Sequence, residues 1–180
     1  MFYHTIQSLI KSVKSCKTKY PEELTKFVII LEDRRFKYHF GIDPISLLRA
    51  ILNNVRGKSI QGASTIEMQL VRTFTQDYKI SLSRKIRESF IALILSITCE
   101  KYLILNYYLS ICYFGDDING AEKFAKIYFN KEIFTLKRDQ LAICAAVIKH
   151  PLPKKVTKQW QNKISQRSTH AKSGLYSLAQ

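Results

Sequence analysis

The chain has 180 residues, 46% of them apolar, with ten Tyr, ten Phe and one Trp. That is enough to bury a core, and it excludes a disordered or linker-type protein. Only 6 Gly and 4 Pro are present, which argues against a many-stranded sandwich or barrel and for helices. Lys and Arg total 29 against 14 Asp and Glu, a formal charge of +15, so the surface expects an anionic partner: nucleic acid, lipid headgroups or a phosphorylated substrate.

In chain order, residues 1–20 read as a basic, weakly amphipathic helix with four Lys and no acid. Pro21 with Glu22 and Glu23 signals the next helix start, since Pro tolerates the first turn and acids there suit the dipole. That helix is predicted to run through Phe27–Leu31 and Phe36 to end near Gly41. Asp43 caps another, with Pro44 at its first position and Ile45, Leu48, Ile51, Leu52 and Val55 at helical spacing; Gly57 ends it. After a loop of residues 58–63, Ser64-x-x-Glu67 fits a capping box opening a helix toward Phe74. Ser81 or Ser83 caps the helix that carries Arg84, Lys85 and Glu88. Residues 100–114 read as helix, stopped by Gly115, with a turn at Asp116, Asp117, Asn119 and Gly120. Two more helices follow at 121–129 and 136–149, ended by Pro151 and Pro153. The tail beyond is polar and basic, and reads as a helix or partial disorder. No alternation is long enough for a sheet, so the class is all-α.

The four Cys, at 16, 99, 112 and 144, lack C-x-x-C spacing. Three sit in apolar helical runs as buried thiols, and a zinc site is not expected. The first twenty residues lack the apolar core and cleavage site of a signal peptide. The longest apolar stretch, Phe90 to Cys99, is about half the roughly 20 residues that a spanning helix needs. His4, His150 and His170 have no partner spacing.

Three constellations can carry chemistry. On one continuous helix Glu32, Phe36 and His39 would fall on one side, just before a Gly turn. There a carboxylate of raised pKa can serve as a general base, or can simply be solvated and paired with Arg34 or Arg35. The loop Gln61–Gly62–Ala63–Ser64–Thr65 enters a helix N-terminus that suits phosphate, with Arg72 two turns along; a plain capped helix explains it equally. Arg84, Lys85 and Glu88 share a helix face that can hold a pyrophosphate and a metal, or form a surface ion pair worth tenths of a kcal/mol. The helix at 45–55, flanked by Arg49, Arg56 and Lys58, is either core or an interfacial helix on anionic lipid.

Together and in order, these segments resemble glycosyltransferase family 51, the peptidoglycan polymerase domain of bifunctional penicillin-binding proteins and of monofunctional transglycosylases. A motif E-D-x-x-F-x-x-H-x-G-x-D is matched from Glu32 to Asp43. A second, G-G-S-T-I-T-Q-Q-L plus a basic residue, appears as Gly62 to Leu70 with Arg72. R-K-x-x-E appears as Arg84, Lys85 and Glu88. A fourth appears as Lys101, Ile104, Leu105, Tyr108, Leu109, Ser110, Tyr113, Phe114 and Gly115. A fifth covers Tyr128–Phe129, Lys131 and the helix to Pro151.

The resemblance implies a lysozyme-like helical lobe with a smaller membrane-associated jaw lobe at about 44–62. The glycosyltransferase domain would then span 25–153, between a basic lead-in at 1–24 and a basic tail at 154–180. The implied substrate is lipid II, a disaccharide-pentapeptide on undecaprenyl pyrophosphate, joined with inversion to a growing glycan strand. Glu32 matches the general base and Glu88 the second carboxylate, which orients substrate or helps hold Mg2+ or Mn2+. Arg72, Arg84 and Lys85 match pyrophosphate-facing positions, and Asp33, Phe36, His39, Ser64, Thr65 and Gln69 match substrate-binding ones. The implied setting is peripheral, on the extracytoplasmic face of a bacterial inner membrane, with an anionic lipid surface and cell-wall synthesis proteins as partners and no nucleic acid.

The chain departs from the family pattern at Ala63, Glu67, Met68, Arg72, Ser96 and Ser110. Glu67 would bring a negative charge near a pyrophosphate site. Two alternatives to the polymerase therefore stand: an impaired homologue that binds lipid II, and a lysozyme-like hydrolase of glycan.

Overall fold

The computed structural model describes residues 2–55 and 63–176. It is mostly helical, with nine α-helices among the described residues. The expected stop at Gly57 and the loop up to Gly62 lie outside them. The chain divides into two compact units, each built from separate stretches: Met1–Lys14 with Arg35–Ile104, and Ser15–Arg34 with Leu105–Gln180.

In the first unit, α1 (Phe2–Lys14) turns Ile6, Leu9 and Val13 inward. These meet α4 (Ile66–Thr75), with Leu70 and Val71 buried, and α5 (Leu82–Thr98), with Ile91, Ala92 and Leu95 buried. Ser81 caps α5 by accepting the Arg84 N–H at 3.2 Å. The intervening α3 (Pro44–Val55) starts as expected: Asp43 Oδ1 accepts the N–H groups of Ile45 at 3.1 Å and Ser46 at 3.2 Å. Ala50 is buried, but the larger apolar side chains described on α3 are not core. Ile45, Leu47, Leu48 and Leu52 are all exposed.

In the second unit, α2 (Glu22–Glu32), α8 (Arg138–Lys149) and α9 (Lys158–Tyr176) pack on one another. The basic tail is therefore a helix with a buried face. Trp160, Ile164, Ser168 and Ala171 lie at helical spacing on that face, and each large apolar side chain so covered contributes about 1.5–3 kcal/mol. The Trp160 indole N–H donates to the carbonyls of His150 at 2.9 Å and Pro151 at 3.1 Å, so the proline turn that ends α8 also anchors α9. Between these, α6 (Lys101–Ile111) leads to a short hairpin and then to α7 (Ala121–Phe129). Phe124 of α7 stacks on Phe114 at 4.8 Å and Tyr128 at 5.1 Å. As expected, Cys99, Cys112 and Cys144 are buried thiols.

Three local expectations are corrected. The helix begun at Glu22 does not reach Gly41; it stops at Glu32, Asp33 takes an extended φ of −157°, and Phe36–Tyr38 form a separate 3-10 turn. Two carboxylates at the negative end of the helix dipole oppose its continuation. Glu32, Phe36 and His39 therefore do not share one helix. The cap of α4 is Thr65 rather than Ser64, and Glu67 is fully buried instead of closing a capping box. Finally, Tyr113–Gly115 (β1) and Ile118–Asn119 (β2) pair antiparallel across Asp116 and Asp117, both in the left-handed region at φ 44° and 58°. This is the turn that two-residue hairpins favour, on strands too short to show alternation.

Gly41 shows why the first motif needs glycine. Its φ is +74°, and a Cβ there would lie 2.2 Å from the Ala92 carbonyl oxygen of α5. Gly41→Ala should cost more than the roughly 1–2 kcal/mol of a left-handed L-residue, because the obstacle is backbone. Urea unfolding measures the loss; an unchanged midpoint would show that α5 can give way.

Candidate functional site

In the first unit, α4 and α5 converge on one carboxylate. Glu88, 2% exposed, accepts from Arg72 through two bonds, Nε to Oε1 at 3.0 Å and Nη2 to Oε2 at 3.0 Å. Arg84 Nη1 also donates to Glu88 Oε1, and its Nε donates to the Lys79 carbonyl. Arg84 and Glu88 are the expected i,i+4 pair, but a buried one. Lys85, one residue on, turns about 100° away and is exposed; it makes no ion pair among the described residues. Two guanidiniums and one carboxylate leave a net positive charge held rigidly by fork-like bonds. Arg, where the family pattern has Lys, permits the bidentate contact. Such a cluster can meet an anion without reorganising. Both Glu88 oxygens are already occupied by guanidinium donors, so this carboxylate does not fit a Mg2+ or Mn2+ ligand as it stands.

Thr65 ties the first two motifs together. Its hydroxyl donates to the Gly41 carbonyl at 2.7 Å while accepting the Met68 N–H at 3.2 Å. Ser64 and Gln69 flank it, both half-buried. Phe36 and His39 are buried with their rings edge to face at 6.4 Å. Lys101 Nζ lies 4.6 Å from the centroid of the Phe36 ring and also pairs with Glu67. The unexpected negative charge of Glu67 is therefore directed at a lysine and fully covered. Burial pushes the Glu67 carboxyl up, against the opposing pull of Lys101 and His39. Burial would also raise Asp43, but the Ser46 hydroxyl and N–H, Arg35 and the Ile45 N–H outweigh it and hold that carboxyl below its usual range.

In the second unit, Glu32 ends α2 with its side chain 5% exposed. Arg167 of α9 donates Nη2 to Glu32 Oε1 at 2.5 Å and to the Leu31 carbonyl at 3.0 Å. The sequence offered Arg34 and Arg35 as partners; Arg35 instead pairs with Asp43 at 3.3 Å. Asp33 is buried at the helix end, its N–H on the Ile29 carbonyl at 3.0 Å. Arg167 was invisible among the scattered cations of the tail. The spacing of Trp160, Ile164, Ser168 and Ala171 was the available sign that this tail packs.

The sequence profile of the transglycosylase family matches residues 4–173. The chain is similar to penicillin-binding protein 1A of Aquifex aeolicus, 38% identical over 134 residues, covering 74% of this chain and 18% of that protein. Against penicillin-binding protein 1B of Haemophilus influenzae the identity is 34% over 154 residues, 83% of this chain and 20% of that one. Penicillin-binding protein 1A of Escherichia coli is 37% identical over 132 residues, 73% and 16%. The chain thus spans a fifth or less of the length of these relatives.

The covered Glu67 carboxyl makes a pH prediction. Its proton is held more tightly in the folded chain than in the unfolded one. Its contribution to stability is then full below the ordinary glutamate value and is lost as pH rises through the raised one. Glu67→Gln removes that loss, so its Tm relative to the parent should climb between pH 4 and pH 8. A difference constant with pH would mean that Lys101 fully offsets the burial.

Proposed function

The chain belongs to the transglycosylase family, and from that membership we propose that it is a peptidoglycan glycosyltransferase that polymerises lipid II. The observation that carries this reading is the convergence of Arg72 and Arg84 on buried Glu88. A departing pyrophosphate gathers negative charge, and cations fixed beforehand stabilise it without the cost of reorganising in the transition state. A hydrolase of finished glycan has no such leaving group.

The chemistry assigns each residue a task. A sugar 4-hydroxyl is a weak nucleophile. Glu32 takes its proton as the oxygen attacks the donor's anomeric carbon. The bond from that carbon to the pyrophosphate oxygen breaks, the electron pair leaves with undecaprenyl pyrophosphate, and α inverts to β. Arg72 and Arg84 face the pyrophosphate, while Lys85, exposed on another side of α5, attracts the anion from a longer range. Glu88 orients the two arginines; with its oxygens engaged, the leaving group's charge falls to side-chain cations rather than to a divalent ion. Asp33, Phe36, His39, Ser64, Thr65 and Gln69 are the substrate-binding residues of this reading.

Membrane attachment is peripheral in this proposal. No helix among the described residues is long and apolar enough to cross a bilayer. The exposed Ile45, Leu47, Leu48 and Leu52 of α3 support its role as an interfacial jaw element, and the charge of +15 suits an anionic, extracytoplasmic lipid face. Cell-wall synthesis proteins remain the proposed protein partners.

Purified chain supplied with labelled lipid II in detergent should give polymer, and Glu32→Gln should reduce it by about 10²–10⁴-fold. Polymer undiminished in Glu32→Gln removes the base. Lipid II bound but never joined by the parent chain makes the protein a binder, and muropeptides released from finished wall make it a hydrolase.

A further inference from the structure

We propose that Arg167 is a positioning residue for the Glu32 carboxylate, an inference that rests on Glu32 being the general base. Glu32 is the last residue of α2. A carboxylate there sits at the negative end of the helix dipole, where a cation is wanted, and α2 carries no basic residue in its last turn. Arg167 supplies the charge from 135 positions away in sequence.

It does so in a form that fixes direction as well as charge. One nitrogen, Nη2, donates both to Glu32 Oε1 at 2.5 Å and to the Leu31 carbonyl at 3.0 Å. The Leu31 oxygen is among the last four carbonyls of α2, which have no partner within the helix. The guanidinium therefore ties the Glu32 side chain to the backbone of its own helix. The buried Arg167 Nε makes no hydrogen bond among the described residues, so these two acceptors set the orientation of the group. A lysine reaching the same place would bring the charge as a single flexible point.

The helix that carries Arg167 is itself held in register. Trp160, Ile164, Ser168 and Ala171 are buried on α9. Two turns beyond Arg167, Gly174 lies so close to α2 that a Cβ there would stand 2.6 Å from Ile30 Cγ2 and 3.5 Å from Arg34 Nη2. The tail helix thus also meets α2 by close approach beyond the Glu32 contact.

The test compares Arg167→Ala and Arg167→Lys with the parent chain. Readouts are polymer formation from lipid II, KM and kcat separately, circular dichroism, and activity with millimolar guanidinium ion. Misplacing a reacting group by about 1 Å costs up to about 100-fold. Arg167→Ala should therefore lose about 10- to 100-fold in kcat with KM within about twofold. Guanidinium should restore part of that rate, and should restore none to Glu32→Gln. Arg167→Lys should keep the fold and recover part of kcat. An active parent with Arg167→Ala at parental kcat overturns the positioning role alone, as does a change confined to KM. Loss of helix signal in Arg167→Ala, together with a folded Arg167→Lys at parental kcat, assigns Arg167 to structure only and also overturns it. A parent chain that makes no polymer removes the base on which the inference rests, and is told apart by that control.

Discussion

A carboxylate taken out of water must gain a cation or hydrogen-bond donors, or give up its charge, because the loss of hydration exceeds what a fold of marginal stability can absorb. This chain covers Glu32, Asp43, Glu67 and Glu88, and each is matched by a guanidinium or an ammonium: Arg167, Arg35, Lys101, and the pair Arg72 and Arg84. Three of the four pairs join stretches more than twenty residues apart or different helices, so the pairs dictate which segments meet. Removing one member would strand the other in a poorly hydrated place. The candidate site residues are in this sense part of what specifies the fold.

The pairs also account for how a chain of net charge +15 uses its few acids. Acids placed inside organise arginines, while Lys85 and most of the other lysines stay outside. Organised cations act on a leaving group over short range, and dispersed ones attract an anionic surface over a Debye length. Both uses suit the substrate proposed above, which combines a pyrophosphate with a lipid anchor.

The departures from the family pattern read differently once placed. Glu67 looked like a negative charge brought to an anion site; it is instead covered and directed at Lys101, beside the ring of Phe36. Met68 is buried and accepts a weak contact from the Ser89 hydroxyl at 4.0 Å, so the lost amide has been exchanged for packing. Ser110 satisfies itself on the Tyr107 carbonyl at 2.7 Å. These three departures are accommodated locally, whereas the buried Ser96 hydroxyl has no hydrogen-bond partner among the described residues.

The sequence by itself determined the helical class, the starts of α3 and α5 from Asp43 and Ser81, the buried thiols, and the ordered set of motifs that names the family. These are encoded by neighbours a few residues apart, through caps, dipoles and helical spacing. Tertiary structure alone decided that α2 ends at Glu32, that the short hairpin forms, that Lys85 leaves the face of Arg84, that Ile45, Leu47, Leu48 and Leu52 of α3 remain outside the core, and that Arg167 is the partner of Glu32. Each of these depends on an atom brought near from a distant stretch, and no local pattern records which distant cation a buried acid will meet.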